Sequence, residues 1–166
     1  MKYYSLIFFL LTLFACSSTK KHTNFKYAKN PQMLQRPTLL RTDGVYVYVF
    51  NYEGKKDSYR FLRFFENGRC FASNFFKGNI NRDTLETLNP KDGTKTFYRN
   101  NKNKVVYENW GGGYVYYVYN FCTVDSLGLD FNGYKPRSLI ASREIYPDAD
   151  RYNFFPIDFK NKTADW

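Results

Sequence analysis

The sequence predicts an all-β protein, a single antiparallel meander of eight or nine strands that closes into a barrel or, alternatively, folds as a β-sandwich. Three observations predict it. Apolar residues after Asp43 recur with a period of two, turn residues separate the apolar runs, and no stretch has the period of a long amphipathic helix. With 21% aromatic residues, the chain of 166 residues also has ample material for a core and is unlike a disordered polymer.

The first strand is expected over 45–52, where valines alternate with aromatic residues, so both faces are bulky. The runs 59–66 and 69–76 are joined by Asn67-Gly68, a dipeptide that readily adopts the positive φ angles of a tight hairpin. Further strands are expected over 80–88, 94–99, 104–110, 114–124, 126–131 and 138–146, with turns at Glu53-Gly54, Asp92-Gly93, Asn100-Asn101, Gly111-Gly112-Gly113 and Asn132-Gly133.

Residues 1–15 have the pattern of a signal peptide. Lys2 gives a basic start, and an apolar run of ten residues from Leu6 to Ala15 follows it. A spanning helix needs about 20 apolar residues, so this run is too short for a permanent membrane span.

The junction Leu13-Phe14-Ala15-Cys16 resembles the lipobox of bacterial lipoproteins, with Leu three residues before the cysteine and a small residue directly before it. The resemblance implies cleavage before Cys16, a lipid on its thiol and attachment to the cell envelope of a Gram-negative bacterium. Ser17 after the cysteine implies the outer membrane. We expect the domain to face the periplasm, with the cell surface as the alternative.

Residues 16–42 are expected to form a basic flexible tether, and 43–166 the β-barrel-like domain. The tether has no acidic residue, no hydrophobic period and two prolines, Pro31 and Pro37. Its six cations are Lys20, Lys21, Lys26, Lys29, Arg36 and Arg41. Much of the net charge of +10 therefore lies beside the predicted anchor, which favours an anionic lipid surface as partner and argues against nucleic acid.

The start of the domain resembles that of lipocalin-like barrels. Those proteins open strand one with Gly-x-Trp and close the barrel with an Arg from the last strand; here Gly44-Val45-Tyr46 and Arg143 have comparable positions, with Tyr in place of Trp. The resemblance implies a cup with an apolar or aromatic interior, a barrel-closing pair of Tyr46 and Arg143, and no catalytic machinery.

Catalysis that depends on histidine is excluded within the domain, because the one histidine, His22, lies in the predicted tether. The same argument excludes histidine-dependent zinc sites, and no phosphate-binding or dinucleotide-binding glycine motif occurs, so no metal or cofactor is expected. Carboxylate chemistry needs only two acids at a suitable separation. The candidates for such a hydrolase are Asp83, Glu86, Glu108, Asp125 and Asp130.

Cys70 and Cys122 lie in predicted strands, and they form either a disulfide or two buried free thiols. Most aromatic rings are expected in the core, but the densest stretch, with bulky residues on both strand faces, predicts a ligand-stacking surface. Its members are Trp110, Tyr114, Tyr116, Tyr117 and Tyr119. We therefore expect a non-enzymatic envelope lipoprotein that binds a small apolar or carbohydrate ligand. The alternatives are an assembly subunit that docks on other envelope proteins and a carboxylate-based hydrolase.

Overall fold

The computed structural model describes residues 25–52, 55–73, 76–77, 85, 94–110, 117–137, 144–157 and 164. Their elements are one 3₁₀ helix, Tyr27–Lys29, and the strands β1 (Gly44–Tyr52), β2 (Lys55–Phe64), β3 (Arg69–Ala72), β4 (Phe76–Lys77), β5 (Thr94–Asn101), β6 (Lys104–Trp110), β7 (Tyr117–Val124), β8 (Gly128–Pro136) and β9 (Glu144–Pro156). The prediction of an all-β fold is confirmed, and none of the described helical residues forms a segment long and apolar enough to cross a membrane.

The strands form a closed antiparallel barrel, which confirms the predicted meander and excludes the β-sandwich. Apart from the short strand β4, each strand pairs with the next one along the chain, and β1 also pairs with β9, which closes the circle of eight strands. The short strand β4 is additional and pairs with β2 beyond the end of β3. We call the end where β1 begins the lower end and the end where β1 finishes the upper end.

The predicted hairpin at Asn67-Gly68 is present between β2 and β3. Gly68 has a φ of 77°, and its N–H donates to the Phe65 carbonyl at 3.1 Å. A side chain at Gly68 would also overlap the Gln32 carbonyl oxygen, so this position needs glycine for space as well as for conformation.

Two predicted boundaries near the C-terminal end of the barrel are wrong. Asn132-Gly133 does not end a strand; it lies in a β-bulge inside β8, where Gly133 has a φ of 134°. The last strand was expected over 138–146, but β9 continues to Pro156. The predicted strand over 80–88 lies outside the described residues, apart from the buried Leu85.

Aromatic rings fill the lower half of the barrel interior. The Tyr46 ring packs edge to face on Phe64 and Phe154, with ring centres 5.6 and 5.0 Å apart. The ring centres of Phe64 and Tyr98 are 5.0 Å apart. Leu129 is fully buried in the same cluster. This half of the barrel is therefore a packed core and not an empty cup.

The tether predicted over 16–42 is wrong where the structure describes it, because residues 25–42 pack on the barrel. The Gln35 backbone and the Asn100 side-chain amide exchange two hydrogen bonds, at 3.0 and 2.9 Å, and Leu40, 2% exposed, joins the core. The segment crosses the lower end, where Leu34 also packs against the core. Because these contacts depend on a few isolated apolar residues and on backbone groups, no hydrophobic period in the sequence predicts them.

Two smaller clusters cover parts of the outer face. Val45 and Val47 of β1 pack with Phe61, Leu85 and Ile157. Phe65 and Phe71 pack with Ala164, and the Ala164 carbonyl accepts hydrogen bonds from the side chains of Asn67 at 2.8 Å and Arg69 at 3.0 Å. The bulky residues on both faces of β1 are thus explained by packing on both sides of the sheet.

Candidate functional site

The predicted aromatic surface is split by the strand geometry. In β7, Val118 and Asn120 are buried inside the barrel, whereas Tyr117 and Tyr119 point outward. Trp110 is the last residue of β6 and its backbone pairs with Tyr117. The remaining two members of the predicted surface, Tyr114 and Tyr116, lie outside the described residues.

The N-terminal segment covers the two described tyrosines. Phe25, 1% exposed, contacts the Tyr117 ring edge to face at 4.9 Å, and Tyr27 lies 5.7 Å from Tyr119. The Arg99 guanidinium lies over the Tyr27 ring, 4.5 Å from its centre. Tyr117 and Tyr119 therefore bind a segment of their own chain, which the sequence did not predict.

Glu108, opposite Tyr119 on the outer face of β6, holds this segment in place. Its carboxylate accepts hydrogen bonds from the Lys26 N–H at 2.8 Å and the Tyr27 N–H at 2.7 Å. The side chain is fully buried, and burial raises the pKa of Glu108, against the opposing effects of the two N–H donors and the Arg137 and Lys26 charges. A carboxylate held in this way anchors the turn that begins at Tyr27.

The other described acids of the hydrolase hypothesis share a cation at the lower end. Arg151 donates to Asp125 at 2.7 Å and to Asp130 at 3.0 Å. Hydrogen bonds from Arg151 and from the Leu127 and Gly128 N–H groups hold the pKa of Asp125 well below its usual range. Asp83 and Glu86 lie outside the described residues. Asp125 and Asp130 are thus brought together by one arginine.

Two of the six cations predicted to face a membrane are engaged at the lower end instead. Arg41 pairs with Asp43 at 2.5 Å and Arg36 with Glu66 at 3.7 Å. The Arg41 guanidinium also lies 4.1 Å from the centre of the Phe154 ring. These contacts reduce the basic charge of 25–42 that is available to a lipid surface.

Tyr46 of the predicted barrel-closing pair is buried at the lower end, and its phenol oxygen accepts a hydrogen bond from the Arg41 N–H at 2.9 Å. Burial raises the pKa of Tyr46 to about 12. Its predicted partner, Arg143, lies outside the described residues. The end of β9 approaches Gly44 so closely that a side chain there would overlap the Phe154 ring and the Phe155 carbonyl oxygen.

Cys70 and Cys122 are both buried inside the barrel, and the structure contains them as free thiols, so the disulfide alternative is not realised. Burial raises the pKa of both thiols. Thiols of this kind are poor nucleophiles and pack as small apolar groups.

A second group of side chains, which the sequence analysis did not identify, lies higher in the barrel. Its five members face the interior above the packed core: Tyr48, Phe50, Arg60, Asp150 and Tyr152. We call it the upper cluster. Tyr48 stacks on Phe50 at 5.5 Å with an interplanar angle of 9°, and Tyr48 lies 5.3 Å from Tyr152.

Arg60 is the exposed member of the upper cluster. It pairs with Tyr48 across the β1–β2 ladder, so its side chain faces the same interior side. The guanidinium lies 4.9 Å from the centre of the Phe50 ring and hydrogen-bonds the Tyr152 side chain. Asp150 accepts a hydrogen bond from Tyr48. Burial and this hydrogen bond raise the pKa of Tyr48.

The upper cluster combines aromatic faces with a cation, a carboxylate and phenol hydroxyls. Tyr107 lies beneath it and is 5% exposed, and Asn120 is 6% exposed, so polar groups also line the wall below. Such a set can stack an apolar or ring-shaped ligand and hydrogen-bond its polar end. The alternating pattern of β1 and β2 marked these residues as strand residues, but only the register shows that Arg60 and Tyr48 share one face.

No group of three or more potential metal ligands occurs among the described residues. No family model, curated protein or solved structure matches the chain.

Proposed function

We propose that this chain is a lipid-anchored envelope protein of a Gram-negative bacterium, without catalytic activity, whose β-barrel binds a small apolar or carbohydrate ligand. The single observation that supports binding is the upper cluster, in which half-buried aromatic rings and an exposed cation face the interior of a barrel. The sequence Leu13-Phe14-Ala15-Cys16 supports the anchor and Ser17 the outer membrane.

The spacing between the anchor and the barrel fits this proposal. Cys16 lies nine residues before Phe25, which limits their separation to about 30 Å. Phe25 docks beside Tyr117, the first residue of β7, at the upper end of the barrel. The upper cluster therefore belongs to the end at which the chain arrives from its anchor.

The anchor is tested by Cys16→Ser, with Cys70→Ser as the matched control. Cys16→Ser should release the protein from the membrane fraction and abolish labelling with a radioactive fatty acid, whereas Cys70→Ser should keep both. Continued lipid labelling of Cys16→Ser would refute the anchor.

Ligand binding is tested by Phe50→Ala against Val49→Ala. The two residues are adjacent in β1, but Phe50 faces the interior and Val49 is 52% exposed on the other face. A panel of apolar molecules and oligosaccharides is first screened on the wild type. Phe50→Ala should lower the affinity for the detected ligand about tenfold, because the ring contact is lost, and Val49→Ala should leave the affinity unchanged. Equal effects would remove the binding site from the upper cluster.

A second candidate, an assembly subunit, is favoured by the packed lower core and by exposed apolar side chains. Leu127 is 73% exposed and Ile145 is 70% exposed. Crosslinking in cells separates the candidates, because a scaffold should give one dominant protein partner that Leu127→Asp or Ile145→Asp removes. Phe50→Ala should leave that partner in place.

A further inference from the structure

Arg60 has no carboxylate partner among the described residues, unlike three of the arginines near the lower end of the barrel. Arg36, Arg41 and Arg151 all form ion pairs with acids, but Arg60 forms none with any residue in the described part of the chain. Its contacts are the Phe50 ring and the Tyr152 side chain, and it is exposed. Its charge is therefore available to a ligand.

The surroundings of Arg60 favour an anion that carries an apolar body. Phe50 and Tyr48 form a stacked aromatic wall beside the guanidinium, and Tyr152 lies against Tyr48. A guanidinium beside phenol hydroxyls offers planar hydrogen bonds to carboxylate, sulfonate or phosphate oxygens. The rings then take the apolar part of the same molecule.

Asp150 is the one described acid of the upper cluster, and its negative charge opposes the binding of an anion. Its carboxylate accepts the Tyr48 hydrogen bond and forms no ion pair with Arg60. Asp150 thus does not neutralise the Arg60 charge by direct contact. Its own negative charge nevertheless weakens the binding of an anion at a distance. Removing the Asp150 charge should consequently strengthen anion binding.

We propose that Arg60 binds the anionic group of an amphipathic ligand whose apolar body stacks on Phe50 and Tyr48. This inference rests on the proposed function, since it names the chemical class of the ligand at the same site. A free organic acid and an anionic lipid share the required chemistry.

The experiment compares two fluorescent dyes with one aromatic skeleton, 8-anilinonaphthalene-1-sulfonate, which is anionic, and N-phenyl-1-naphthylamine, which is neutral. Binding is titrated on the full chain with Cys16→Ser, which keeps the protein unacylated. The variants are Arg60→Gln, Arg60→Lys, Asp150→Asn and Phe50→Ala. The matched control is Lys135→Gln, because Lys135 is also near the upper end but pairs with the outward-facing Tyr119. Far-ultraviolet circular dichroism establishes that each variant is folded.

Arg60→Gln should lower the affinity for the sulfonate dye about tenfold and change the affinity for the neutral dye by no more than about twofold. Arg60→Lys should retain most of the sulfonate affinity, Asp150→Asn should increase it, and Lys135→Gln should not change it. An equal loss of both dyes in Arg60→Gln, or an equal loss of the sulfonate in Lys135→Gln, would overturn the anion inference.

The failure of the proposed function looks different. If Phe50→Ala changes the binding of neither dye, the upper cluster is not the binding site. If Phe50→Ala weakens the binding of both dyes but the Arg60 variants show no preference for the anionic dye, only the anion inference is refuted.

Competition then identifies the source of the anion. Decanoate should displace the sulfonate dye and decan-1-ol should not; equal displacement would also overturn the inference. Displacement by phosphatidylglycerol vesicles as well as by decanoate assigns the site to a membrane lipid, and displacement by decanoate alone assigns it to a free acid.

Discussion

The carboxylate of Glu108 accepts a hydrogen bond of 2.7 Å from the backbone N–H of Tyr27, a residue 81 positions earlier in the chain. A second bond from the Lys26 N–H makes Glu108 the cap of the 3₁₀ turn that follows. Side chains that cap helical turns usually come from the adjacent sequence. Here the cap comes from the barrel wall, so it ties the N-terminal segment to the domain.

Glu108→Gln should release this segment. The amide keeps one acceptor oxygen but turns an NH₂ group toward the other backbone N–H, which leaves a buried donor without a partner, at a cost of about 1–3 kcal/mol. Chemical denaturation should show that loss, and hydrogen exchange at Lys26 and Tyr27 should become faster. Glu144→Gln, a change at an exposed acid of β9, should alter neither. Unchanged exchange in Glu108→Gln would contradict the capping role.

Leu40→Ala and Leu39→Ala test the packing at the lower end. Leu40 is 2% exposed and belongs to the core, whereas its neighbour Leu39 is 51% exposed. Truncation of a buried leucine costs about 2–5 kcal/mol in unfolding free energy, and truncation of an exposed one costs little. Urea unfolding curves of the two variants should differ accordingly. Similar curves would mean that residues 34–41 do not close the lower end in solution.

The Asp125–Arg151 ion pair should make the protein acid-sensitive. The pKa of Asp125 is lowered in the folded state, so its contribution to stability is present above its ordinary pKa of 3.8 and is lost as the pH falls toward the folded value. Arg151→Gln should therefore be less stable than the wild type at pH 7, and the difference should narrow below about pH 3.8. Lys104→Gln, at an exposed cation of the same end, serves as control. A difference that stays constant with pH would refute the pair's contribution.

Cys70 and Cys122 should resist alkylation in the folded protein, because both are buried and burial raises their pKa. In denaturant without reductant, mass spectrometry should show both thiols modified in the Cys16→Ser variant. A mass that increases only after reductant is added would show that the two cysteines form a disulfide.

Local chemistry explains which parts of the fold the sequence predicted. The Asn67-Gly68 hairpin and the alternation in β1 were predictable because turn conformation and strand period depend on neighbouring residues. The extension of β9 was missed because Pro147 and Asp148 signal a turn, although the strand continues past them to Tyr152 and Phe154.

The two sites depended on information that the sequence does not contain. Glu108 binds backbone N–H groups, which every residue but proline has, so no pattern identifies its partners. Arg60 lies in a predicted strand, but its direction follows from the β1–β2 register. Tyr117 and Tyr119 lie in a predicted strand, but the sequence could not show that Phe25 and Tyr27 cover them.

Because β1 pairs with β9, the barrel cannot close until β9 has been synthesised, and this closure is a slow step of its folding. Gly44 pairs with Pro156, so a loop of more than a hundred residues must close before either strand has its second neighbour. A nascent chain that stops short of β9 leaves the outer edge of β1 and its valines uncovered, which is the kind of strand edge that aggregates. Premature termination anywhere before 144 should thus yield insoluble chains and not a smaller working barrel.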